Sequence, residues 1–380
     1  MVAVTILVIL MLVVANFVGL VQRTWVRTNS NVSQFREARI AFDIMTRTIS
    51  QATLNTYWQP DRAEVSKDRL NTAIFNASTF YRHSELQFVC GPAVGGAGAV
   101  FASGAATDLP GHAVFFQAPL GVTSLVATEE TDTVANGENM VNLMCGRGYF
   151  VAWGDDEAFR PPFLTAKGVP VRKRLRLMEF SPTAEQNRIY DGELRPLVND
   201  LGMPTANSKR WYREAHNVTG AVQSAQAMIA AEDENAGSRA FTRPVAENIL
   251  TLVISPQMPT VGEVGKIPSR IAPSYAFDSL MWESPGASLD DSEFGPRGTQ
   301  HVLPPVLKVT MVALDARSGE RLSFDDSLRT SVVSGVNGLF TSAASYDEDM
   351  KTLADNLNSS RLDYRIFTTS IPLKQARWSK

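Results

Sequence analysis

Residues 2–22, VAVTILVILMLVVANFVGLVQ, contain no charged side chain. A run of ~20 apolar residues is what a helix needs to cross a bilayer. Between Val21 and Gln59 there is neither proline nor glycine, so a helix begun in this run can continue well beyond it. The pattern predicts one long N-terminal helix, transmembrane over 1–22 and amphipathic over 23–58, ahead of a globular domain over 59–380. Pro60 is expected to end the helix, because the residue before a proline resists the α conformation.

A cleaved signal peptide is the main competitor. Its apolar core is typically ~7–15 residues, follows a basic stretch and ends at a small-residue cleavage site. The present run is longer, starts without Lys or Arg and leads into an amphipathic pattern, which favours a retained anchor. A buried helix of a soluble core is the remaining reading, and the run is long for one. Asn16, the one strongly polar residue well inside the run, reads as tolerated rather than as a bond to a neighbouring helix. Arg23 and Arg27 follow the run, and positive charge marks the cytoplasmic side. On charge alone, either the large domain is cytoplasmic or a basic leader belongs before Met1.

Beyond the apolar run, Phe35, Ala38, Phe42, Met45, Ile49 and Ala52 recur at alternating spacings of three and four. Arg36, Glu37, Arg39, Asp43, Arg47 and Gln51 take the other faces. Phe35, Phe42, Met45 and Ile49 are expected to dock the helix on the protein's own sheet. Part of the stripe is free to pack on related helices instead. Ile6, Ile9, Leu10, Leu12 and Val13 are the candidates for membrane or bundle packing.

The stretch FREARIAFDIMTRTISQATLNTYW (35–58) resembles the first helix of the type IV pilin superfamily. Its register from Arg39 to Ala52, R-x-A-F-x-x-M-x-R-x-I-S-Q-A, is similar to that of minor pseudopilins of the J/W type. More narrowly, SQATLNTYW and the closing LDYRIFTTSIPLKQARWS resemble the pseudopilin-like Verru_Chthon cassette protein C group of Verrucomicrobia and relatives. The match covers the N-terminal helix and the closing segment, and the middle adds little. The resemblance implies a non-enzymatic, membrane-anchored structural subunit of a type II secretion or type IV pilus-like assembly. It implies an inner-membrane location with the globular domain periplasmic or on an extracellular fibre. The implied partners are the membrane and other pilin or pseudopilin subunits, met through the first helix. The chain departs from the family at its start: a basic leader, a cleavage-site glycine and a Phe-Thr-Leu-x-Glu opening would precede MVAVTILVIL. A start placed too late, or a trimmed sequence, is the expected reason.

The 380 residues, 44% hydrophobic and 20% charged, suffice for a full core. A net charge of −3 gives no electrostatic case for nucleic acid. After Pro60 the signals are those of strands: 85–90, 113–118, 148–154, 174–180, 249–256, 306–315 and 362–373 are short, alternating or aromatic-rich. Helical pieces are expected around 67–75, 221–234 and 350–360. The fold class expected is α+β, with the N-terminal helix packed on a largely antiparallel β-sheet domain of pilin or pseudopilin type. Residues 91–112, rich in Gly and Ala, read as a mobile loop, and 256–305, rich in Pro and Gly, as a second long connection.

Nothing in the pattern carries chemistry. His83, His112, His216 and His301 match no metal spacing, and the phosphate-loop, nucleophile-elbow and C-x-x-C motifs are absent. No cofactor and no small-molecule substrate is expected. Some minor pseudopilins bind Ca²⁺, and AEDEN (231–235) and LDDSEF (289–294) gather oxygen donors, but no EF-hand pattern is present. KRLRL (173–177) reads as a strand with a solvated basic face. Cys90 and Cys145 are compatible with one disulfide or with two buried thiols. Two other classes stay open: a single-pass anchored surface or periplasmic binding protein that never enters a fibre, and a membrane-tethered hydrolase.

Overall fold

In the computed structural model the strands among the described residues segregate into three antiparallel sheets. Described are residues 2–60, 80–96, 98–101, 104–122, 142–157, 159–184, 187, 189, 211–212, 215–216, 241–258, 270–287 and 298–376. The first sheet is a two-stranded ribbon of β1 (Tyr57–Pro60) and β2 (Phe80–His83). The second has six strands in the order β7-β6-β5-β4-β3-β9. These are β3 (Val89–Pro92), β4 (His112–Pro119), β5 (Met144–Gly154), β6 (Arg174–Phe180), β7 (Thr242–Glu247) and β9 (Phe277–Asp278). The third, in the order β11-β10-β8, pairs β8 (Ile249–Gln257), β10 (Val306–Leu314) and β11 (Tyr364–Pro372).

The six-stranded sheet is apolar on both faces, so its strands feed two cores. Val114, Phe116, Tyr149, Val151, Leu175 and Leu177 face the first core. Phe115, Phe150, Met178 and Phe180 face the second, where Trp211 and Tyr212 close over them. Phe115 is the hub, with its ring 4.5 Å from Tyr212 and 6.1 Å from Trp211. Its cross-strand partner is Gly148, where a Cβ would lie 2.2 Å from the Phe115 ring; only a glycine lets the ring lie there.

Helix α1 spans Val2–Ile49, and its C-terminal part enters the first core through Ala38, Ala41, Phe42, Met45 and Ile49. Among the described residues the further α-helices are α2 (Pro162–Ala166), α3 (Ala316–Phe324), α4 (Asp326–Asn337) and α5 (Tyr346–Ser359). Asp315 caps α3 by accepting the Ser318 N–H at 2.7 Å, and Asp325 caps α4 by accepting the Leu328 N–H at 2.9 Å. The third sheet has α1 on one face, where the Phe42 and Phe367 rings are 5.9 Å apart. On its other face, the α5 residue Tyr346 hydrogen-bonds Thr310 of β10 at 2.7 Å.

The fold class expected from the sequence does not hold. In place of a transmembrane-then-amphipathic helix laid on one pilin-type sheet, the chain forms a mixed helix–sheet fold with several separate antiparallel sheets. Among the described residues no helix is long and apolar enough to cross a membrane. The transmembrane assignment of 1–22 and the single-pass inner-membrane location are corrected accordingly.

Smaller expectations change as well. The helix stops at Ile49 rather than at Pro60, because the chain after it is drawn onto the sheet. Thr53 N–H donates to Gln117 O, and Asn55 Oδ1 accepts from Glu85 N–H and Leu86 N–H. Pro60 instead sits in β1 opposite Phe80. The stretch 91–112 is tied down: Val100 N–H bonds Pro92 O, Phe101 N–H bonds Ala93 O, and Phe101 is buried. In KRLRL Lys173 is exposed, but the basic face is not solvated throughout. Arg176 is buried, donates to Gly154 O, Asp155 O and Arg172 O, and pairs with Glu247 at 3.3 Å. The expected helices at 67–75 and 221–234, and the acidic clusters at 231–235 and 289–294, lie outside the described residues.

Candidate assembly helix

α1 divides into a docked end and an exposed end. At the docked end Met45 and Ile49 are fully buried and Phe42 nearly so. Phe35 is partly buried against the same core, with the Arg365 guanidinium 5.9 Å over its ring. Hydroxyls along the last turns bond back to the helix carbonyls, Thr48 to Ile44 O and Ser50 to Arg47 O. Glu37, near Glu247, has its carboxyl pushed above the ordinary range, first by burial and then by that neighbouring carboxylate.

At the other end, the described large apolar side chains from Leu7 to Val21 are 46–67% exposed. Leu10, Leu12 and Val13 are among them; the side chains of Ile6 and Ile9 lie outside the described set. Successive helix residues point ~100° apart, so Leu10, Met11, Leu12 and Val13 face four directions around the axis. The exposed surface is therefore a sleeve rather than a stripe. Ile40 and Ile44, further along α1, are each about half exposed. Contiguous apolar surface of this extent marks an interaction site.

The other sequence candidates have structural surroundings. Cys90 and Cys145 are free, buried thiols. Cys90 lies on β3 and Cys145 on β5, with β4 between them, so their Cα atoms are at least ~9.5 Å apart. A disulfide needs Cα atoms within ~7 Å, so of the two alternatives, one disulfide or two buried thiols, the fold has the two thiols. Burial pushes the Cys90 thiol far up, further from reactivity.

His112 is buried at the junction of β4, β8 and the turn after α4. Its Nδ1 lies 3.0 Å from Ile254 N and 3.2 Å from Ile254 O, and its Nε2 lies 3.4 Å from Phe340 O. Burial lowers its pKa to about 4 against the partial support of those backbone bonds. The His83 and His301 rings lie 4.7 Å apart at a tilt of 52°, and those of His216 and Phe101 lie 4.5 Å apart at a tilt of 48°. Among the described residues no group of three His, Cys, Asp or Glu side chains is placed to hold a metal ion.

Sequence reasoning missed Trp211 and Tyr212, whose adjacent aromatics in an otherwise polar stretch were the available signal. It also missed the exposed Trp58 and Phe80 of the ribbon. No protein-family model matches the chain, and no curated protein or solved structure matches it either.

Proposed function

We propose that the protein is a non-enzymatic assembly subunit of the type IV pilin-like kind, a minor pseudopilin by the resemblance of its first helix. Its place would be in a type II secretion or pilus-like assembly, joined to other subunits through α1. The observation that carries this reading is the apolar sleeve on α1 beside an end anchored in the core.

Magnitudes favour a bundle over a pair. Full burial of a large apolar side chain contributes about 1.5–3 kcal/mol, so covering the exposed half of each contributes roughly 1 kcal/mol. One neighbour reaches about a third of the sleeve and gains roughly 3 kcal/mol, below the ~4 kcal/mol minimum lost in association. Several helices around the same sleeve exceed that loss.

Sedimentation velocity on the full chain tests the proposal. The wild type should form assemblies larger than a dimer, and replacing Leu10, Leu12 and Val13 together with Ser should return it to monomer. These side chains are exposed, so the far-UV circular dichroism should be unchanged. A wild-type chain that stays monomeric, or a triple variant that assembles equally well, would remove the basis for the proposal.

A further inference from the structure

β11 is an edge strand, paired with β10 along its whole length and with no other strand among the described residues. Which of its backbone groups point outward follows from the two ends of the ladder. Asp315 N–H donates to Asp363 O, and Leu373 N–H donates to Pro305 O, so the odd-numbered residues of β11 turn their N–H and C=O toward β10. The even-numbered residues are the close, non-hydrogen-bonded pairs; Thr310 Oγ1 and Thr368 Oγ1 meet across one of them at 3.1 Å. Tyr364, Ile366, Thr368 and Ser370 therefore aim their N–H and C=O groups away from the sheet. Among the described residues none of these groups has a partner.

Natural edge strands are usually guarded by charge, by proline or by being short. β11 has nine residues, and from Ile366 to Ile371 it reads IFTTSI, without charge or proline. Ile366, Thr368 and Ser370 are exposed. The proline comes only at the end, as Pro372, and the single charge, Arg365, lies near the other end.

We infer that β11 pairs with β11 of a second copy, antiparallel, across a two-fold axis at Thr368. Thr368 is the midpoint of Tyr364–Pro372, so this register uses the entire strand. It sets Ile366 opposite Ser370 of the second copy and Arg365 opposite Ile371, so no like charges face each other. Roughly eight new backbone hydrogen bonds join the two three-stranded sheets into one of six strands. The arrangement is isologous and closes on itself. It uses no residue of the α1 sleeve and goes beyond the assembly reading. The two-fold runs the two α1 helices in opposite directions, so this pair and a bundle of parallel α1 helices are alternative states of the chain.

The test is Thr368→Cys in the full chain carrying the Ser triple variant of the sleeve, so that only β11 contacts remain. In a hydrogen-bonded antiparallel pair the two Cα atoms lie about 5.5 Å apart, within disulfide range. Cys90 and Cys145 are buried, so the parent variant supplies the uncrosslinked control. The expected result is a disulfide-linked dimer as the main species under mild oxidation. Ile366→Cys and Ser370→Cys should crosslink when mixed and not when alone. A T368C chain that stays monomeric, or Ile366→Cys alone crosslinking as fast as the mixture, would overturn the register and the pairing. If T368C itself fails to fold, the mixture decides.

Discussion

Met45→Asp should destabilise the fold by about 4 kcal/mol or more, the largest single effect expected in the molecule. Met45 is fully buried where α1 meets the first core, beside Phe42, Ile49 and the sheet residues they cover. A carboxylate there would lose its water without gaining a cation, and protonating it at neutral pH would still leave a polar group in an apolar site. Denaturant unfolding should show a midpoint shift of that size at an unchanged slope if the whole domain feels the loss. A smaller slope would mean that the end of α1 detaches before the sheets unfold. A shift below about 1 kcal/mol would contradict the docking described, because exposed positions lie in that range.

The second large effect is a pH dependence. His112 titrates near 6.5 in an unfolded chain and at about 4 in the fold. Between these values the unfolded chain holds a proton that the folded one refuses. The histidine's contribution is thus fully favourable above pH 6.5 and is lost as the pH falls toward 4, below which it is flat. Each pH unit of difference is worth 1.36 kcal/mol, so the window spans about 3 kcal/mol. The structural cause is burial of the ring, which keeps the imidazolium from water; the backbone bonds to Ile254 and Phe340 offset that only in part. His112→Asn removes the titration, so the stability gap between wild type and variant should shrink by about 3 kcal/mol on going from pH 6.5 to 4. A gap that does not change with pH would contradict the buried neutral imidazole.

The parts of the structure legible in the sequence are those set by local periodicity. Strict alternation placed RLRLMEF as β6, and the apolar run of AVFFQA lies within β4. The heptad stripe marked the α1 residues that lie in the core, Phe42, Met45 and Ile49. What was not legible depends on partners distant in sequence. The end of α1 is set by Gln117 and by Glu85 and Leu86, which capture Thr53 and Asn55, and no local breaker marks it. Arg176 looks solvent-facing in a basic run until Glu247 and the Gly154 and Asp155 carbonyls arrive to satisfy it. Two cysteines are neutral about pairing until β4 is placed between them. The partition into three sheets, and the edge left on β11, follow from non-local pairing that periodicity does not encode.

The proposed assembly requires other subunits to cover the α1 sleeve. The most direct measurement is thiol alkylation of single cysteine substitutions at Leu10, Met11, Leu12 and Val13 in the assembled full chain, with Arg39 as the exposed control. Assembly should protect all four positions, in every direction around the helix, while the Arg39 site stays reactive. Four sleeve positions as reactive as the control would show a helix with nothing packed against it, and would contradict the account.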